Sequence, residues 1–119
     1  MDAVQAIATA FERAQRTLVQ TGVGRPCIYP PFRFPQTITF DYPAKYREAT
    51  HAEEYEGFAS SGLTQRSVVA EPLNGVAHFS FRNLEEELLH VEFREGGDVP
   101  RLAGEIATFL ENGGLPGAR

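Results

Sequence analysis

The chain has 119 residues, 42% of them hydrophobic and 11% aromatic, with nine Phe, four Tyr, no Trp and a formal charge of −5. This length suits one domain over residues 1–119, and the aromatic content excludes a disordered chain. The acidic balance opposes nucleic-acid binding, where neutralising phosphates supplies most of the affinity.

The charge is uneven. Residues 1–47 carry six basic and three acidic side chains, whereas residues 48–119 carry five basic and thirteen acidic ones. An acidic half attracts a basic partner or simply solvates the surface. The single cysteine, Cys27, allows no internal disulfide. The N-terminus lacks the basic and apolar regions of a secretory signal, and no apolar run approaches the ~18 residues that cross a bilayer. A cytoplasmic location and no membrane contact are therefore expected.

The first predicted element is a helix from about Ala3 to Gln20. Val4, Ile7, Phe11, Ala14 and Leu18 recur at three- and four-residue steps and define one face. Asp2 caps its start and Gly22 and Gly24 end it. Residues 25–35 contain four prolines, which exclude helix and any central strand and predict a stiff, extended connector. Residues 36–42 then alternate, with Ile38, Phe40 and Tyr42 on one side, as in a half-buried strand. A second helix is expected over His51–Ser61, from a capping box at Thr50 and Glu53 to a stop at Gly62.

A three-strand antiparallel meander follows between Gln65 and Arg94. Asn74-Gly75 marks a type I′ hairpin, which needs positive φ at both positions. Pairing Leu73 with Val76 then sets Ala70 opposite Phe79, Val68 opposite Phe81 and Glu71 opposite His78. A one-residue slip would mix apolar and polar faces. The second hairpin turns near residues 83–86. Face matching leaves two registers, with His78 opposite either His90 or Glu92. A last helix spans about Val99 to Glu111, capped by Asp98, with Pro100 in its first turn, and residues 115–119 read as a frayed tail.

The order is α-β-α-β-β-β-α. The expected fold is α+β, an antiparallel sheet of about four strands with one face covered by the N- and C-terminal helices. The Ile38 strand is free to join either edge of the meander. Open sheet edges pair readily, so Gln65–Glu71 or Gln36–Tyr42 would serve homodimerisation.

Three groups of residues invite a functional reading. Arg25, Tyr29, Phe32, Arg33 and Phe34 combine arginine and aromatics, the residue types enriched at binding hot spots, on backbone that proline has already stiffened. The alternative role for these rings is to cover one end of the core. Glu71, His78 and His90 share the polar sheet face, where a carboxylate can orient an imidazole as a general base requires. Solvated cross-strand pairs are the ordinary state of such a face. A metal would need Glu92 as third ligand, at a spacing that matches no established motif, so no metal or cofactor is expected. Cys27 with a histidine would make a nucleophile and base, but its proline neighbours favour a rigid loop or a packed, inert thiol. The acidic run Glu85, Glu86 and Glu87 suits a solubilising turn.

Together these features favour a non-enzymatic protein-binding module: an adaptor, inhibitor, immunity-type or assembly protein. A small-ligand or enzyme site at His78, His90 and Glu71, or at Cys27, is the alternative. A winged-helix-like DNA-binding regulator ranks third, because its recognition helix would be the acidic segment after His51.

Overall fold

The computed structural model describes residues 1–22, 25–41, 66–83 and 86–117. Helix α1 spans Ala3–Thr21. Strands β1 (Arg25–Tyr29), β2 (Gln36–Asp41), β3 (Ser67–Leu73), β4 (Val76–Arg82) and β5 (Glu87–Phe93) follow, and helix α2 (Val99–Asn112) closes the chain. The five strands make one antiparallel sheet in the order β1-β2-β3-β4-β5. The helix expected over His51–Ser61 lies outside the described residues.

Local chemistry sets the ends of each helix. Asp2 and Gln5 form a reciprocal capping box at α1, the Asp2 carboxylate accepting from the Gln5 amide at 2.8 Å. Asp98 accepts from the Arg101 amide at 3.0 Å at the start of α2. The buried stripe of α1 is Ala3, Ala6, Ile7, Ala10, Phe11, Ala14 and Leu18. Val4, expected on that face, is 48% exposed. The face is rotated towards alanines because α1 packs on α2 as well as on the sheet. Small side chains at such a contact let the axes approach, and α2 answers with buried Ala103 and Ala107.

The sheet has five strands, one more than the sequence predicts, because residues 25–29 are not an unpaired connector. They pair with β2 from Arg25↔Asp41 to Tyr29↔Thr37. An edge strand needs only alternate amides for its ladder, so a proline there forfeits no necessary bond. The Ile38 strand joins β3, through Gln36↔Ala70, Ile38↔Val68 and Thr39↔Ser67. Both strands suggested for dimerisation are therefore interior. The edges are β1, short and proline-bearing, and β5, which carries Glu87 and Glu92; these are devices that discourage edge pairing.

The first hairpin has the expected register throughout, Leu73↔Val76 to Ser67↔Arg82, and Asn74 and Gly75 take φ of 52° and 77°. Ile38, Phe40, Val68, Ala70, Phe79, Phe81 and Val91 form the inner face and join the apolar stripes of both helices in one core. Phe11 meets Phe79 edge-on with centroids 6.0 Å apart, and Phe81 meets Phe109 likewise at 5.3 Å. No described helix is long and apolar enough to cross a membrane.

Among the described residues, the polar Arg66 and Gln36 are buried for structural reasons. Arg66, just before β3, sends Nη2 to the carbonyls of Leu110 and Glu111 at 3.3 and 3.2 Å, at the end of α2 where carbonyls lack helical partners. Gln36 donates from Nε2 to the carbonyls of Pro30 and Pro31 at 2.9 and 3.1 Å, tying down the β1–β2 loop.

Candidate functional site

Both described helices pack on the inner face, which leaves the outer face to polar chemistry. Strand alternation sends His78, Ser80 and Arg82 of β4 and His90 and Glu92 of β5 to this side. The register places His78 opposite Glu92 and Ser80 opposite His90, the second of the two solutions open from sequence. The two histidines are thus diagonal neighbours.

Glu87 completes the group, and the sequence pattern alone hides it. Leu89, Val91 and Phe93 occupy inward positions, so simple alternation would point Glu87 inward too. The register instead shifts between Phe81 and Arg82: Phe81 faces Leu89, while Arg82 faces Glu87. Leu88 is the extra residue of a β-bulge, a device that re-aims a side chain, and Glu87 emerges on the outer face. An acid at an inward parity position was the available signal.

The ring nitrogens form a chain. Glu87 Oε1 lies 3.2 Å from His90 Nδ1, and His90 Nε2 lies 2.9 Å from His78 Nδ1. The Ser80 hydroxyl first, then His90, hydrogen-bond the Glu87 carboxyl and hold its pKa below the usual value of 4.5. Glu87 is therefore an ionised acceptor at neutral pH, so His90 must carry its proton on Nδ1. One proton makes the bond between His90 Nε2 and His78 Nδ1, and which ring donates it depends on the tautomer. Arg82 Nη1 donates to Ser80 Oγ at 3.3 Å. Glu71 stands opposite His78 as expected, but the carboxylate on a histidine here is Glu87, bonded to His90. A shallow depression of about 330 Å³ is lined by Val69, Glu71, His78, Ser80, Arg82, Glu87 and His90.

Donor atoms of His78, His90 and Glu92 all lie within 4.8 Å of one another. Glu92 Oε2 accepts from Arg94 Nη2 at 3.2 Å, both side chains being well exposed.

The proline-aromatic segment divides. Arg25 and Tyr29 point outward from β1, and Phe32 and Arg33 stand at the exposed loop tip, with Phe32 97% exposed. Tyr29, Pro30, Pro31, Phe32 and Arg33 line a shallow surface of about 310 Å³. Phe34 instead packs against the core, which takes it out of the candidate surface. Cys27 is exposed on β1. Strands β2 and β3 separate it from His78, and at ~4.8 Å per strand this alone sets them at least about 14 Å apart. Neither His78 nor His90 is brought to Cys27 as a base, and His51 lies outside the described residues, as does the candidate recognition helix.

Comparison with protein-family models, with curated proteins and with solved structures gave no match to this chain.

Proposed function

We propose that this protein is a non-enzymatic protein-binding module whose contact surface is the β1–β2 tip. The observation that carries this reading is Phe32, a large apolar ring 97% exposed on backbone that Gln36 fastens at Pro30 and Pro31. A loop held in place loses little entropy on association. Tyr29, 66% exposed, widens the apolar surface. Residues 25–35 include two arginines and no acid, so the partner offers an apolar pocket with an acidic rim. Burying a Phe ring is worth about 2 kcal/mol, or roughly thirtyfold in affinity.

The test compares captures by the immobilised wild-type chain and by Phe32→Ala and Tyr29→Ala/Phe32→Ala/Arg33→Ala variants. A partner retained by wild type and lost from both variants supports the proposal. A complex that survives the triple change refutes it.

A small-ligand or enzymatic site on the outer face is the second reading. It draws on the Glu87–His90–His78 chain, which can hold and pass a proton. Ring resonances of both histidines, followed by NMR against a library of small polar compounds, test it. No perturbation at either ring sets it aside.

A further inference from the structure

We propose that His78, His90 and Glu92 form a binding site for a borderline divalent transition-metal ion, with Glu87 orienting His90 from behind. Spacing along the chain predicts no metal, because metal motifs are read as local repeats on one segment. Here the ligands converge across two strands.

Two independent features of the geometry point to a metal. The first is the pair of facing ring nitrogens, His78 Nδ1 and His90 Nε2, 2.9 Å apart. An ion bonded at about 2.05 Å to each would see them at an angle of about 90°. That is the cis arrangement of square-planar and octahedral ions, favoured by Cu(II) and Ni(II) with nitrogen and oxygen donors. A tetrahedral ion requires the nitrogens to part to about 3.3 Å. The second is the Glu87 contact on the far nitrogen of His90, 3.2 Å from Nδ1. A carboxylate behind a histidine ligand fixes its tautomer and raises its basicity, and such partners are a regular part of metal sites.

Binding requires small changes only. The proton between the facing nitrogens is displaced, to His78 Nε2 or to water, so that both nitrogens offer lone pairs. Glu92, directly across from His78, swings in by rotation about its exposed side chain. Its pair with Arg94 gives way, at little cost for an exposed ion pair. Two donors on one ion stand at most about 4.2 Å apart, slightly less than the 4.8 Å within which the three ligand atoms lie. Glu71, Arg82, Glu87 and Arg94 surround the site, and water fills the remaining positions.

The experiment is calorimetry of the untagged full chain with Ni(II), then Cu(II), at neutral pH. One ion per chain is expected, with Cu(II) tighter than Ni(II). Glu87→Ala, which removes no ligand, should weaken Ni(II) by about tenfold. His78→Ala and His90→Ala should each weaken it more than that, and Glu92→Gln should also weaken it. His51→Ala should leave it unchanged. In ¹⁵N spectra of the imidazoles, Zn(II) should shift His78 Nδ1 and His90 Nε2 as coordinated nitrogens. The proposal is overturned if wild type takes up neither Ni(II) nor Cu(II), if the His78→Ala/His90→Ala chain binds as wild type does, or if the affinity follows His51. Unchanged ¹⁵N shifts at His78 Nδ1 and His90 Nε2 in the presence of saturating Zn(II) also overturn it.

Discussion

Replacing Arg66 by Met removes the guanidinium that closes the end of α2 and keeps most of the apolar stem. Arg66 is 9% exposed, and its Nη2 serves the Leu110 and Glu111 carbonyls at 3.3 and 3.2 Å. A hydrogen bond from a charged donor contributes about 1.5–3 kcal/mol. These are long for N–H···O bonds, so the lower value applies to each, and the pair contributes about 3 kcal/mol. With a urea slope of about 1.3 kcal/mol/M for a chain of this size, the midpoint should fall by roughly 2 M. The chain has no Trp, so far-UV circular dichroism is the natural probe. Arg66→Lys is the informative companion. Both bonds leave from one nitrogen, so an ammonium at that place recovers part of the loss, and Arg66→Ala loses stem packing in addition. A Met variant with the wild-type midpoint would refute the capping role. A Lys variant no better than Met would show that a positive donor is not what the helix end requires.

Further expectations test other layers of the structure. Phe79→Ala removes a fully buried ring that meets Phe11 and should cost about 3–5 kcal/mol in the same assay, whereas Phe32→Ala should stay within ~0.5 kcal/mol of wild type because its ring touches water. Gly113 has φ of +81°, and a Cβ there would lie 3.1 Å from Arg66 Nη1. Gly113→Ala should cost about 1–2 kcal/mol from the left-handed backbone alone; the steric part should vanish in the Arg66→Met background, making the two changes non-additive. The Glu87 carboxyl, followed by ¹³C NMR, should titrate below 4.5, and Ser80→Ala should raise its midpoint, since the Ser80 hydrogen bond is the largest cause of its depression. A carboxyl whose pKa is lower folded than unfolded adds stability above the unfolded value and loses it as pH falls through the folded one. The contribution of Glu87 should therefore disappear on the acid side of 4.5 and be unchanged at higher pH.

The first hairpin was legible because one dipeptide and one alternation agree. Asn74-Gly75 demands positive φ, and the only register that keeps Val68, Ala70, Phe79 and Phe81 together is the one found. The second hairpin was legible only to within two registers, since parity alone fixes faces and not positions. Glu87, read only as part of a solubilising turn, was missed at the site because alternation assumes an unbroken pleat, and the Leu88 bulge breaks it. Residues 25–29 were missed as a strand because proline argues against pairing in general, while the penalty falls only on strands paired on both sides. The inward face of α1 was misjudged at Val4 because a periodic stripe cannot say that a second helix will share the face with the sheet.

The two candidate surfaces follow from one division of labour across the sheet. Tyr29, Thr37, Val69, Ser80 and His90 are successive cross-strand partners, so the tip and the histidine cluster begin and end one row on the outer face. At ~4.8 Å per strand they are about 19 Å apart, too far for one small ligand to touch both and near enough for one protein partner to cover both. The inner face is committed to Phe79, Phe81 and the helices, where a change of one methylene is felt as stability. No described helix packs on the outer face, so polar residues there can be tuned without loss of the fold. If the partner of Phe32 also reaches β5, metal bound at His78 and His90 alters its affinity, and linkage requires the partner to alter metal affinity by the same factor. Measuring Ni(II) affinity with and without the captured partner decides this. Equal values mean two independent sites, and a difference that Phe32→Ala abolishes means one continuous surface.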